Sequence, residues 1–329
     1  MAEHIFPVTY STLACNAILH RVMPAYSVEE ATSCQLWHRG LSDVYLIETP
    51  TAHYVLRISH THWRSKAEID FELELLVFLR SHHIPVASPL VTKAGDLCIE
   101  IQAPEGLRYA ALFGYAPGQI AQGDLDQDQG YTLGETVAKI HQVATDFQPR
   151  SQRQPLTLDY LLDDSLEIIS PFLCDRNSDL TYLVDIIEEI KTQLQDMPQE
   201  QPYWSICWGD PHSGNAHFTE DNHVTLFDFD QCGYGWRAFE IAKFLQTSLR
   251  TGMHRKARDA FLEGYQTVQT VTPEELNGLQ AFTQTAHIWM WAISLTHAKI
   301  HNFSQLSSSY FSHRLAQLKL LSSQDWQLF

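Results

Sequence analysis

The spacing of apolar residues along this chain switches between a period of about two and one of about 3.6 and stays helical from residue 130 onward, and that pattern limits the folds open to it. Residues 33–60 hold three strand-like runs, Cys34 to Trp37, Val44 to Glu48 and His53 to Ile58. The turn Glu48-Thr49-Pro50-Thr51 separates the last two, as in a hairpin. Residues 64–82 place Ile69, Leu73, Leu76 and Leu79 at helical spacing and stop before Pro85. After Pro89 strands are expected around Leu90, at Leu97–Ile101 and at Tyr109–Phe113. From residue 130 the period is helical, with helices expected at 157–172, 179–196, 236–250, 254–267, 273–300 and 307–322. A short helix over 9–23, capped by Thr9 or Ser11, precedes everything, and Gln148–Gln154 has the composition of a linker.

Composition excludes several classes. The 329 residues suffice for two cores, and 22 Lys+Arg against 39 Asp+Glu give a net charge of −17 with no basic block. A polyanion such as nucleic acid is therefore not the expected partner. The acidic balance fits either a cationic substrate or simple solubility. The six cysteines show no CxxC spacing and read as reduced thiols. No apolar run reaches the ~18 residues of a membrane span, and Met-Ala-Glu-His lacks the features of a signal peptide. A soluble, cytoplasmic protein with no membrane partner is expected. His297 and His301 have helical i, i+4 spacing, but no cysteine or acidic neighbour in sequence completes a zinc set.

Residues 206–215 read Ile-Cys-Trp-Gly-Asp-Pro-His-Ser-Gly-Asn, and after nine further residues comes Thr-Leu-Phe-Asp-Phe-Asp. Asp210 and Asn215 thus share a loop, and Asp228 ends a strand-like run. Phosphoryl transfer from a metal-nucleotide uses these parts: one carboxylate to orient and deprotonate a hydroxyl, with an amide oxygen and a second carboxylate to hold Mg2+. A Gly-Asp turn followed by a plain hairpin would use the same residue types. The whole combination favours the chemistry.

Trp-Gly-Asp-Pro-His-Ser-Gly-Asn resembles the catalytic loop of the aminoglycoside phosphotransferase superfamily, which includes choline and homoserine kinases of protein-kinase-like fold. The resemblance covers about residues 33–300. It implies that Asp210 is the catalytic base, that Asn215 and Asp228 ligate Mg2+, and that His212 supports the loop. Trp208 departs from the histidine common in that family, where a histidine would hydrogen-bond neighbouring backbone. Arg-Gly-Leu-Ser-Asp-Val-Tyr is similar to the family's glycine loop, which makes Gly40 and Ser42 phosphate contacts; a plain hairpin turn is the alternative. Arg57 occupies the place of the phosphate-holding lysine. A cation in an apolar strand needs a carboxylate or an anionic ligand, unless it points outward from an edge strand. Glu72 is its expected partner because it borders the inward face of the helix, with Glu68 and Glu74 as rivals. Phe113-Gly-Tyr115-Ala-Pro-Gly has the punctuation of a crossing between lobes, and the resemblance makes it the hinge against which an adenine ring would rest. Asp230 reads as a second metal contact or a turn residue, and Glu240 stands where the family ties the loop to the next helix. Thr285, His287, Trp289 and Trp291 lie on a long helix, where they either line a substrate pocket or pack it against a neighbour.

The expected fold is α+β and bilobal: residues 1–114 a nucleotide-binding lobe with a small antiparallel sheet, 115–118 a hinge, and 119–329 a mostly helical catalytic lobe. The expected activity is Mg2+-dependent transfer of phosphate from ATP or GTP to a hydroxyl of a small polar metabolite, such as an amine or a sugar. A bacterial Ser/Thr protein kinase of the same fold, and a catalytically weak nucleotide-binding scaffold, are the alternatives.

Overall fold

A computed structural model describes residues 6–328. The described residues divide into two compact units, one formed by those up to 116 with 148–153, the other by 117–147 with those from 154 onward.

The first unit opens with helix α1 (Cys15–Arg21), shorter than expected because the Ser11 hydroxyl donates to Glu105 Oε2 at 2.7 Å instead of capping it. Strands β1 (Ser33–Arg39), β2 (Ser42–Glu48) and β3 (His53–Ser59) follow. Helix α2 (Lys66–Ser81) comes next, started by a capping box in which Ser65 accepts from the Glu68 N–H and Glu68 returns a bond to Ser65 N. Strands β4 (Ile99–Ala103) and β5 (Gly106–Gly114) complete one antiparallel sheet in the order β1-β2-β3-β5-β4. No strand forms at Leu90, whose amide makes a single bond to Leu112 O.

Register decides what each face of this sheet holds. Tyr45, Leu56 and Leu112 lie in line across three strands, and with Ile47, Ile58 and Ala110 they bury against Ile18, Val22 and Met23. Side chains alternate along a strand, so Val44, Arg57 and Ala111, also in line, occupy the opposite face. The expected linker is fixed to this unit, as the amide of Arg150 and the hydroxyl of Ser151 both donate to Glu74.

The second unit holds a short strand β6 (Gln119–Ile120) and helix α3 (Gln127–Val143). The expected 157–172 helix is a widened π turn at Asp159–Asp163 continued by α4 (Asp164–Ile169), and α5 (Asn177–Leu194) follows. Next come four short strands: β7 (Trp204–Cys207), β8 (Ala216–Phe218), β9 (Val224–Leu226) and β10 (Gly233–Trp236). Helices α6 (Arg237–Thr251), α7 (Arg255–Gln266), α8 (Pro273–His301) and α9 (Ser308–Leu321) end the chain. Helices α3 and α7 touch backbone to backbone: a Cβ on Gly134 would lie 1.9 Å from Phe261 O, so only glycine fits. Among the described residues no helix is long and apolar enough to cross a membrane. An antiparallel-sheet N-terminal unit and a mostly helical C-terminal unit are the architecture the sequence implied.

Candidate active site

The second unit gathers the Asp210 loop around one helix. Strand β7 runs into Trp208 and Gly209, and Gly209 turns the chain at φ +89°, a left-handed conformation that favours glycine. A side chain there would also strike the Gln231 carbonyl at 2.0 Å. Glu240, in the first turn of α6, accepts hydrogen bonds from the amides of Trp208 and Gly209, the latter at 3.0 Å. His141 of α3 lies 3.5 Å from the same carboxylate and bonds Tyr265 through its other nitrogen. Glu240 therefore ties the loop to the following helix.

Asp210 itself is paired with a residue the sequence reading missed. Lys243, one turn along α6 from Glu240, donates to Asp210 Oδ1 at 2.6 Å, and its side chain is fully buried. The Trp289 ring centroid is 5.7 Å from the same ammonium. His212 Nε2 lies 3.3 Å from Asp210 Oδ2, while the side-chain amides of Asn215 and Gln231 donate to that oxygen at 3.3 and 3.4 Å. Burial alone would raise the carboxyl pKa, but the Lys243 charge, with His212 after it, holds Asp210 well below the usual carboxylate range. A lysine inside the apolar run Phe-Glu-Ile-Ala-Lys-Phe-Leu was the available signal, since a buried cation requires a partner.

Asn215 links Asp210 to the Asp228 segment. Its side-chain N–H groups point at the Asp210 carbonyl and carboxylate. Its own carbonyl accepts from Phe227 N at 3.0 Å, which extends the β8–β9 pairing of Ala216 with Leu226. Asp228 follows directly, exposed, at φ +57°. Trp208 fixes this stretch: its indole N–H donates to the carbonyls of Phe227 and Asp228, both at 3.1 Å, and its ring stacks on Phe229. The bracing expected of a histidine comes from an indole. Asp230 is buried two residues further on.

The first unit holds the other expected site residues. Arg57 and Glu72 form a two-pronged ion pair at 2.7 and 2.6 Å, with Glu72 almost wholly buried and Arg57 15 % exposed. Strand β3 is central, so the edge-strand alternative for Arg57 falls away. The rivals have other duties: Glu68 completes the capping box, and Glu74 holds residues 150 and 151. Arg57 also lies over the Phe113 ring at 5.3 Å. Tyr115 is exposed and stacks on Trp37 at 5.7 Å, its amide bonded to His53 O. Gly40 lies in the tight turn between β1 and β2, its amide bonded to the Ser42 carbonyl. Asp43 beside it is buried, bonded to Arg108 at 2.8 Å and to Tyr10, so the base of this hairpin is fixed by ions.

The sequence model of the phosphotransferase enzyme family matches residues 34–279. The chain belongs to that family and is an enzyme of the kinase class. Along its full length it is 55% identical to an uncharacterized protein of Synechocystis sp., 91% of which is covered. An amicoumacin kinase solved with AMP-PNP and Ca2+ superposes with a TM-score of 0.75 at 22% identity, covering 93% of this chain and 91% of that one. A microcompartment-associated aminopropanol kinase also superposes at 0.75, with 19% identity and 92% and 96% covered. These two likenesses concern the fold.

Proposed function

We propose that the protein transfers the terminal phosphoryl group of ATP, with Mg2+, to a hydroxyl of a small polar metabolite. The observation that carries the reading is the Asp210–Asn215 contact, with Asn215 bonded through its backbone to the residue before Asp228.

The residues fit a hard divalent cation. Both Asn215 amide hydrogens are directed at Asp210, which leaves Oδ1 as the free donor atom, and Asp228 adds an exposed carboxylate. Asn215 and Asp228 would hold the metal, which would neutralise charge on the phosphates when bound. Asp210 accepts the hydrogen bond of the incoming hydroxyl. Held so far below the usual range, it is a weak base, and the loose transition state of phosphoryl transfer needs only an oriented nucleophile and a late proton acceptor. Arg57, pinned by Glu72, is the cation offered to the nucleotide phosphates, and Ser42 would meet them, whereas the Gly40 N–H is already given to the Ser42 carbonyl. Phe113 and Tyr115 stand where the adenine would rest. The kinases of similar fold act, by their names, on amicoumacin and aminopropanol, which supports a small acceptor.

Two measurements test the reading. Mg2+-dependent thermal stabilisation by ATP, compared with GTP, reports nucleotide binding, and ADP release over a panel of small alcohols reports transfer. No stabilisation at millimolar nucleotide, with or without Mg2+, would remove it.

A further inference from the structure

Among the described residues, two arginines in the second unit have no carboxylate partner, which is unusual in a chain of net charge −17. Arg250 is the last-turn residue of α6, seven positions after Lys243 and so on the same helical face, about 10 Å along the axis. Among the described residues its guanidinium has no hydrogen-bond or ion-pair partner. Arg314 of α9 donates to Ser294 Oγ of α8 at 3.0 Å and lies over the Tyr310 ring, again with no acidic partner among the described residues.

His287 joins the two helices that carry them. Its Nε2 donates to the Arg314 carbonyl at 2.9 Å, so Nδ1 is the acceptor that faces Gln246 Nε2 at 3.5 Å. Gln246 lies one turn before Arg250, and the two arginines therefore flank one neutral, buried imidazole. The electrostatics agree with this placement. Burial first, then the Arg314 charge, with Arg250 and His313 behind it, press the His287 pKa down to about 3. Arg250 is exposed, yet enough protein surrounds it that burial, ahead of the Arg314 charge, lowers its pKa, and the Asp210 charge opposes them.

We infer that the acceptor alcohol carries a negatively charged oxyanion, seated by Arg250 and Arg314 while its hydroxyl meets Asp210. This rests on the phosphotransfer reading and narrows the substrate class. The overall acidity that would favour a cationic amine is outweighed locally by two cations that pair with no carboxylate among the described residues. A carboxylate and a phosphate share the recognising chemistry, a two-oxygen face for a guanidinium fork.

The test offers the full-length protein a matched panel: glycerate, 4-hydroxybutyrate and homoserine for carboxylates, glycerol 3-phosphate for phosphate, glycerol as the neutral member, and 1-amino-2-propanol and kanamycin as cations. Coupled ADP release gives kcat and KM, and thermal shift gives binding. An oxyanion-bearing alcohol is expected to exceed the neutral and cationic members at least tenfold, and the better arm identifies the source. Arg250→Gln and Arg314→Gln should each raise its KM roughly 10- to 100-fold, the loss of one charge-assisted hydrogen bond, with KM for ATP unmoved. Among the described residues Arg250 makes no hydrogen bond or ion pair that its loss would break, so Arg250→Gln keeps the test sound should Arg314→Gln misfold. A neutral or cationic best acceptor, an unchanged KM in Arg250→Gln, or neither turnover nor stabilisation with any oxyanion-bearing member would overturn the inference. Mg2+-dependent nucleotide stabilisation, read in the same protein, tells this failure from failure of the phosphotransfer reading.

Discussion

The ammonium of Lys243 and the carboxylate of Asp210 meet at 2.6 Å with the lysine side chain wholly out of solvent. Removing one partner of such a pair strands a buried charge and costs about 3–5 kcal/mol. Asp210→Ala should therefore lose stability as well as at least about 10²-fold in turnover. Asp210→Ala with Lys243→Met should recover most of the stability and none of the activity. Denaturant midpoints and ADP release check both, and full activity in Asp210→Ala would end the assignment. Lys243→Met alone leaves His212 as the remaining charge partner against burial, so the acid limb of the pH–rate profile should move to higher pH.

The pair also predicts a pH response. The folded Asp210 carboxyl titrates below its unfolded value, so its contribution is complete above about pH 4 and is lost as pH falls through the depressed folded value. Melting temperature against pH should show an acid slope that Asp210→Asn lacks.

His287 acts in a different window. With a folded pKa of about 3, it stays neutral while an unfolded histidine protonates near pH 6.5. The unfolded state binds the extra proton, so stability is full above about pH 6.5 and declines as pH falls toward 3, by about 1.4 kcal/mol per pH unit. His287→Gln should flatten that part of the curve. An unchanged slope would place the titration elsewhere.

Trp208→Phe should keep the stack on Phe229 but remove the donor to the Phe227 and Asp228 carbonyls. A cost of about 1–3 kcal/mol is expected. Because the Asp228 backbone loosens, the Mg2+ concentration for half-maximal rate should rise more than KM for ATP. A rise in neither would confine Trp208 to packing.

Arg57→Lys should keep the charge but give up the fork on Glu72, raising KM for ATP roughly tenfold if about 1.4 kcal/mol of phosphate contact is lost. Arg57→Ala leaves Glu72 buried and unpaired, and a lower melting temperature should accompany its weaker nucleotide binding.

The strands, the long helices and the order of the loop residues were legible because each leaves a local signature in period, turn chemistry or spacing. Even the Arg57–Glu72 pair could be read, since Ile69 and Leu76 set the inward face of α2 and Glu72 borders it. Lys243 could not be matched to Asp210 in this way. The two are thirty-three residues apart, and their contact depends on how α6 leaves β10. The same holds for the indole of Trp208 and for the Ser11–Glu105 bond that shortened α1. A pair made by tertiary packing carries no periodic trace, and a buried charge announces only that some partner exists.

Glu240 and Lys243, three residues apart on α6, grip the same loop by its amides and by its acidic side chain. That helix is therefore a rigid jig on which the nucleophile-orienting group is mounted at two points. A substitution deep between α6 and α8 that tilts the jig slightly would displace both points together, so distant packing variants should reveal themselves in turnover before they do in nucleotide affinity.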